Sequence, residues 1–507
     1  MSGRFAHQSS NIDHANGPSD YEDSLESIVP EGRLVHLFYE NFHSAHPILV
    51  PASLYKKWKY PPCLHQVVKF IGSHYSVLLN NGILHESTWL AIKGTAEKTP
   101  DMVKTLLLYS IIMLARNETS EAESSLTQAI DIAIELGLHR EDFATAFSGG
   151  REHEAESLRR TWWELFTWEA YMATLHEKST LRCSDISSEV CLPCEESTYA
   201  SLRPIPQPES LSSFRMRAFM EDEEMSRYSS FTYRIEAVCI LARVLILNSL
   251  PETDHDHSQA VANSVINWVH HLPPQKTEIV DIYGNIDEML FQAHFTIQYA
   301  AMLLHLPRSN IRPKYPYPTV LICPRTPFRL SPSLTRHVHD VKTIEASKKL
   351  SNLLSVRSRA LSYSPLIALG SILCGLVQLA ATERHGRGCY DHHHNRVMLV
   401  LGYLKLLRDK WSLAQEAHSH LRIIAAEITT PFTKNPPFES QATPRQGNQR
   451  PIIAGDETAI SFPTGDEVMN DRFSSRLLSE SIDPTCGDSF PLFPMADSQN
   501  LLGAFDY

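Results

Sequence analysis

Residues 154–176 read EAESLRRTWWELFTWEAYMATLH, and this stretch decides the fold class of the chain. Its bulky apolar residues recur at intervals of three and four: Leu158, Trp162, Leu165, Phe166, Met172 and Ala173. That period places them on one face of a helix. Glu169 interrupts the apolar face, so we expect it to be buried or half-buried and paired with a basic or donor group, such as Arg140, Arg159 or Arg160.

Similar helical periods extend on both sides of this stretch. One stripe over 103–114 precedes Ser120 and Glu123, which have the spacing of a capping box. The next stripe, over 126–136, ends at Gly137, which has no Cβ and suits a left-handed helix cap. Further helical stripes lie near 235–246, 261–272, 286–306, 366–381, 397–407 and 411–428. Since no period-two alternation of strand length occurs, we predict an all-α fold with one large multi-helix domain over 30–430.

The two ends of the chain differ from this body. Residues 1–29 are polar and aperiodic and are predicted to be disordered, and 431–481 are predicted to be a linker. Residues 482–507 interleave acids with bulky apolar side chains and contain no Lys or Arg. Such a segment suits a coactivator groove, although an inert terminus is an equal alternative. The candidate activation residues are Phe490, Leu492, Phe493, Leu501, Leu502 and Phe505.

Charge, cysteine content and apolar runs argue against a DNA-binding body, a secreted protein and a membrane protein. The 507-residue chain is 43% hydrophobic and has a formal net charge of -12, which argues against a body that grips DNA by itself. Nine scattered cysteines and a polar start indicate a reducing compartment. The most apolar run, 366–381, is shorter than a membrane span, so we expect no membrane contact.

The chain shows no sequence motif that predicts an enzyme. There is no nucleophile elbow, phosphate-cradling loop, dinucleotide fingerprint or HExxH helix. Cys191 and Cys194 have a zinc-like spacing near Cys183, but no second pair exists. A His/Cys group, predicted to lie in a solvated loop, comprises His385, Cys389, His392, His393 and His394. We therefore predict neither a catalytic site nor a cofactor or metal, while Trp162, Trp163 and Trp168 are predicted to be core residues, with an effector pocket as the less favoured alternative.

Three segments resemble a known family. They read LVHLFYENFHSAHPILVP at 34–51, AIDIAIELGLHRED at 129–142, and an Arg-Arg-x-Trp-Trp helix with an Asp-Ile…Pro exit within 159–193. Together with weaker echoes at 305–307 and 411–427, they resemble the fungal-specific transcription factor domain, the middle homology region of zinc-cluster regulators. The signature residues are His46, Pro47, Leu136, Gly137, Leu138, His139, Arg140, Arg159, Arg160, Trp162, Trp163, Glu169, Asp185, Ile186 and Pro193.

The resemblance implies a nuclear transcription regulator whose partners are a coactivator or the transcription machinery. The chain departs from the family at Glu169-Ala170, where an Asp-Arg pair is usual. It also lacks the N-terminal six-cysteine zinc cluster, since the first cysteine is Cys63. A truncated gene model, a DNA-bound partner and a competing modulator each explain this. DNA would then be reached only through the missing module or a partner.

The resemblance leaves the pathway, the oligomeric state and the effector open. Many relatives are pathway-specific regulators, including regulators of secondary metabolism, and both a homo- or heterodimer and a small-molecule effector fit the resemblance. The alternative functions are a helical modulator or scaffold that does not bind DNA and, as a weaker alternative, an all-helical enzyme.

Overall fold

The fold is seen in a computed structural model, which describes residues 31–76, 81–175, 181–186, 189–216, 228–250, 255–314, 334–356, 364–385 and 390–433. These residues form eighteen α-helices and no β-strand. Their only β feature is an isolated antiparallel bridge between Val280 and Ile286. The all-α prediction is therefore confirmed.

Eleven of the described helices precede residue 217. They are α1 (Glu31–Asn41), α2 (Ala52–Tyr55), α3 (Pro62–Ser73), α4 (Asn81–Lys93), α5 (Pro100–Ala115), α6 (Thr119–Leu136), α7 (Phe143–Ser148), α8 (Glu152–Ala173), α9 (Arg182–Asp185), α10 (Glu196–Ala200) and α11 (Leu211–Arg215).

Seven more described helices follow. They are α12 (Ser230–Ser249), α13 (His255–His270), α14 (Glu288–His305), α15 (Arg336–Ser355), α16 (Leu366–His385), α17 (Tyr390–Leu407) and α18 (Ser412–Thr433). Pro431, where the linker is expected to begin, lies in the last turn of α18, and residues 434–481 lie outside the described residues.

Helix α8 is buried on nearly every side, not only on its apolar face. Its buried residues include Trp162 and Trp168 but also Glu156, Arg160 and Glu164. An ordinary surface helix keeps its charges on the solvent side. The sequence pattern therefore located this helix but did not show that charged residues lie inside the protein with it.

Local signals at the start and end of α6 had different outcomes. Gly137 caps its C-terminus with a φ of 82°, as predicted. The prediction of a capping box at Ser120 is wrong. Helix α6 already begins at Thr119, its N-cap is Glu118, and the Glu118 side chain makes no capping hydrogen bond. Asn117, with a φ of 67°, lies in the turn between α5 and α6.

One main hydrophobic core runs from Leu34 to Ile428 and joins helices from both halves of the chain. Helix α16 lies deep in it: a Cβ on Gly370 would come 2.6 Å from the Phe295 ring, and one on Gly375 would come 2.5 Å from Leu421. Among the described helices, α16 is the one that is long and apolar enough to cross a membrane. Of its apolar stretch, 89% is buried inside the protein. That burial is typical of a core helix.

The expected segments at 1–29 and 482–507 lie outside the described residues. So do the six candidate activation residues, which are Phe490, Leu492, Phe493, Leu501, Leu502 and Phe505. The proposed boundaries of the helical body stay predictions.

Candidate functional site

The most unusual feature of the described residues is a network of buried charges around α8. Glu164 lies at its centre and is completely buried. Its Oε2 accepts a hydrogen bond of 2.6 Å from Arg234 Nη1, and its Oε1 accepts one of 3.0 Å from Arg234 Nη2. His46 Nδ1 lies 2.7 Å from the same Oε1. One carboxylate thus ties α8 to α12 and to the turn after α1.

The neighbours of Glu164 keep it ionised inside the protein. Burial by itself would raise its pKa, but the Arg234 guanidinium and the His46 ring lower the pKa to about 2. Burial also lowers the pKa of His46, against the opposing effect of Glu164. We therefore assign a neutral imidazole that donates Nδ1–H to the carboxylate, leaving Nε2 as an acceptor without a partner among the described residues.

A second node of the network is formed by Glu156, two turns earlier on α8. Its carboxylate accepts hydrogen bonds from Arg160 Nε at 2.8 Å and from Arg159 Nη2 at 2.9 Å. The backbone N–H of Cys194 adds a third at 2.9 Å. Burial opposes ionisation, yet Arg160 and Arg159 hold the pKa of Glu156 below its ordinary value.

Arg160 extends this node to the segment after α9. It is fully buried and pairs with the carboxylate of Glu196, and its Nη2 donates to the Cys194 carbonyl at 3.1 Å. The guanidinium carbon lies 4.0 Å from the centre of the Tyr199 ring, a cation–π contact. Its Nη1 also lies 3.4 Å from the Pro47 carbonyl. The signature residues Pro47 and Arg160 therefore meet here.

The charges of the network balance. Its three arginines are Arg159, Arg160 and Arg234, and its three carboxylates are Glu156, Glu164 and Glu196. Because each ion faces an opposite ion, the network offers no surplus charge for binding an anion or a cation. Its chemical role is to clamp separate segments onto α8, and removing one member would leave a buried charge without its partner.

The Leu-Gly-Leu-His-Arg segment packs beside the network without joining it. Leu136 is half-buried, Gly137 forms the cap, and Leu138 enters the core. The His139 ring lies 5.8 Å from the Trp162 ring. These positions fit a helix cap and packed side chains.

Other signature residues lie apart from the network. Arg140 and Asp185 are exposed, and Ile186 is half-buried. Pro193 is buried, and its carbonyl accepts a 2.6 Å hydrogen bond from Ser229 Oγ. The sequence pattern therefore mixes network residues with residues that define turns.

The three tryptophans of α8 are core residues. All are buried: Trp163 donates from Nε1 to the Cys191 carbonyl at 3.1 Å, and Trp168 donates from Nε1 to Ser110 Oγ at 2.7 Å. Trp162 packs in the same core. These contacts give no support to an effector pocket lined by the tryptophans.

Glu169 is half-buried and paired with donor groups, as predicted, but the donors are not the arginines named as examples. Its two oxygens accept the backbone N–H groups of Arg182 and Cys183, each at 2.8 Å. Arg140, Arg159 and Arg160 are not its partners, because the carboxylate caps the short helix α9 instead. Burial raises the pKa of Glu169 despite these two bonds.

The candidate zinc thiols remain protonated in this environment. Burial raises the pKa of Cys183 and Cys191, and it raises that of Cys194 to about 12. Zinc binds the thiolate form. In the part of the chain that the structure describes, these three thiols do not come together as a ligand group.

The histidine group at 392–394 lies on α17 and not in a loop, so that prediction is wrong. His392 is exposed, His393 Nδ1 lies 2.7 Å from Gln378 Oε1, and His394 stacks on Tyr390. The side chain of His385 and all of Cys389 lie outside the described residues.

A different trio has the spacing of metal ligands. The ligand atoms of His85, Glu118 and Glu121 lie within 4.8 Å of one another. Arg116 already pairs with Glu118 at 2.8 Å, and Tyr109 donates to Glu121 at 2.9 Å. Since these contacts satisfy the acids, the trio needs no ion.

The part of the chain that holds this network is similar to a known protein domain. Residues 35–273 match the fungal specific transcription factor domain, a range that contains the whole network from His46 to Arg234. The fold and site thus define an all-helical domain clamped by internal charges. Over residues 35–273, this part of the chain is similar to the fungal specific transcription factor domain.

The chain is also similar to the C6 finger domain transcription factor iacK of Pestalotiopsis fici. The two are 26% identical over 447 residues, which cover 85% of this chain. The chain spans 64% of the length of that relative. No solved structure matches the chain at a significant level.

Proposed function

We propose that this chain is the regulatory part of a nuclear transcription regulator. The match of residues 35–273 to the fungal specific transcription factor domain carries the proposal. The similarity to a protein named as a C6 finger domain transcription factor supports it. Coactivators or the transcription machinery are the proposed partners.

The network around α8 supports a regulatory role better than a catalytic one. The pKa shifts of its two central carboxylates, Glu156 and Glu164, favour the ions that already pair with each other. A general acid or base instead needs a pKa near the working pH. A clamp of this kind keeps distant segments in one arrangement, which suits a domain that positions other modules.

We further propose that the helical body does not read DNA by itself. The net charge of the full chain is -12, and its sequence contains no basic recognition motif; both observations support this. A gel-shift assay of the 507-residue chain at physiological salt tests it. No specific shift is expected, and a sequence-specific complex with nanomolar affinity would contradict the proposal.

A reporter experiment tests the transcriptional role. The whole chain is fused to a heterologous DNA-binding domain and measured on a reporter with moderate basal output, so that activation and repression are both visible. We expect a change in output relative to the DNA-binding domain alone. Unchanged output in both directions would count against a regulator.

Within this proposal, residues 482–507 serve as an activation segment. Aromatic anchors tend to dominate such binding, so Phe490→Ala with Phe493→Ala should abolish the activity of the segment when it is fused alone. Ser489→Ala with Ser498→Ala, in the same fusion, is the matched control and should leave the activity intact. No activity above the unfused domain would favour an inert terminus.

The proposed location and range of targets are tested in the host cell. A fluorescent fusion should accumulate in the nucleus. Deletion of the gene should change the expression of a small set of genes in one pathway if the regulator is pathway-specific. A broad change in expression would contradict that specificity.

A further inference from the structure

The outer face of α17 carries exposed apolar side chains that are not covered by the other described helices. Met398, Leu399 and Leu406 are 53%, 43% and 53% exposed. They surround Gly402, with Lys405 beside them, and together these five residues form the outer stripe of α17. Large apolar side chains concentrated on one outward helix face indicate an interaction surface.

Gly402 is the unexplained member of the outer stripe. Elsewhere in the fold, Gly370 and Gly375 lie inside α16 because neighbouring side chains leave no room for a Cβ. At Gly402, no atom lies within 4 Å of where a Cβ would be. Since glycine inside a helix is less stable than alanine, the fold of one chain gives no reason for it. Close approach by another helix would give one.

We propose that α17 pairs with α17 of a second copy, antiparallel and crossing at Gly402. In that arrangement, position 402+n faces position 402−n of the other chain. Leu406 then meets the partner's Met398, and the Lys405 stem covers the partner's Leu399. The same patch serves both copies, as a two-fold interface requires.

The charges around the outer stripe suit self-pairing. Asn395 is exposed near the beginning of the stripe, and Asp409 is exposed in the turn after α17. In the antiparallel pair they face each other across the two-fold axis, so the Asn395 amide can donate to the partner's Asp409 carboxylate.

The small size of the contact sets the expected affinity. From Met398 to Leu406 the stripe is roughly 12 Å long at about 1.5 Å per residue. A standard interface buries about 800 Å² on each partner, more than one helix face supplies. We therefore expect a reversible dimer with micromolar affinity.

Sedimentation velocity of the full chain over a concentration series tests the pairing. Wild type should shift from monomer to dimer. Gly402→Leu should weaken the dimer at least tenfold because it fills the crossing point, and Leu406→Lys should do the same. Thermal stability of the Gly402→Leu monomer should not fall, because nothing lies against that position. Leu90→Lys, at another exposed apolar residue, is the matched control and should dimerise like wild type.

A cysteine variant tests the geometry. Gly402→Cys should give a covalent dimer on mild oxidation, above the level seen with wild type, since the two thiols meet on the two-fold axis. Ser412→Cys, exposed on α18, should not.

The proposal fails if wild type stays monomeric, or if its dimer survives both Gly402→Leu and Leu406→Lys. It also fails if cross-linking at position 402 captures residues 482–507 of the same chain, which would make the acidic tail the occupant. None of these measurements depends on transcription, so this proposal and the proposed function can fail separately.

Discussion

Helix α8 carries two inward-facing carboxylates only five positions apart, Glu164 and Glu169, and they are treated in opposite ways. Glu164 is deeper, yet its pKa falls to about 2. Glu169 is only half-buried, yet its pKa is raised. Burial by itself would have predicted the reverse order. The state of each carboxylate is decided by the groups that the rest of the fold brings to it.

The groups at the two places differ in kind. Glu164 receives a guanidinium with two hydrogen bonds, from Arg234, and a ring nitrogen from His46. Charge-assisted pairs of this kind strongly favour the ion. Glu169 receives two backbone N–H groups, which satisfy its oxygens but do not overcome the effect of burial. One end of α8 is therefore a charged clamp, and the other is a helix cap.

The largest expected effect comes from breaking the clamp. Glu164→Ala leaves the Arg234 cation buried without its carboxylate, so we expect a loss of about 3–5 kcal/mol in the free energy of unfolding. Urea denaturation followed by circular dichroism measures it. Glu164→Leu combined with Arg234→Met should lose less than the two single changes added together. Additive losses would show that the pair is not coupled.

Acid should weaken the clamp in a defined range of pH. The pKa of Glu164 is about 2 in the folded state against 4.5 as its ordinary value, so the unfolded chain binds more protons between these two values. The stabilisation of about 3 kcal/mol is complete above pH 4.5 and is lost as the pH falls towards 2. The stability difference between wild type and Glu164→Gln should therefore shrink over that range. A constant difference would contradict the assigned pKa.

Glu169→Ala should cost less, about 1–2 kcal/mol, because it removes a cap and not an ion pair. Its pH dependence should have the opposite sign. The raised pKa means that the folded chain binds more protons, so the contribution of Glu169 is largest at low pH and is lost as the pH rises through its folded pKa. Glu169→Gln should remove this slope. An unchanged melting temperature in Glu169→Ala would mean that the cap contributes nothing.

The smallest loss of stability is expected from an exposed ion pair. Lys98 and Glu135 lie 2.5 Å apart, with side chains 55% and 58% exposed. Glu135→Ala should change the free energy of unfolding by less than about 1 kcal/mol, because water and salt screen such pairs. The same urea assay measures it. A loss comparable to that of Glu164→Ala would show that burial is not what makes the clamp strong.

Much of the fold could be predicted from local signals. The apolar period at 154–176 indicated α8, which spans Glu152–Ala173, and Gly137 ends α6 in the left-handed conformation. The Ser120 capping box failed because α6 begins one residue before Ser120, at Thr119, with Glu118 at its N-cap. An apolar period that repeats over several turns predicted a helix correctly. The spacing of one pair of residues, Ser120 and Glu123, did not predict a helix start correctly.

The candidate site was only partly visible in the sequence. The sequence feature that corresponds to the network is the spacing of Glu156, Arg160 and Glu164, which follow one another at intervals of four on a tryptophan-rich helix. Such spacing also occurs on exposed helix faces, where it adds little stability. The sequence predicted that Glu169 has a donor partner but not which one, because the donors are backbone N–H groups of α9 and not the nearby arginines.

The sequence by itself determined the helical class, the position of α8 and the residue types at its buried positions, because these depend on periodicity and local conformation. Tertiary structure alone decided which charges meet. Arg234 is 70 residues from Glu164 and His46 is 118 residues from it, so no local pattern could pair them. Only when α12 and the turn after α1 close on α8 does the desolvated carboxylate gain the partners that keep it ionised, since Coulomb attraction acts over a few ångströms of space and not along the chain.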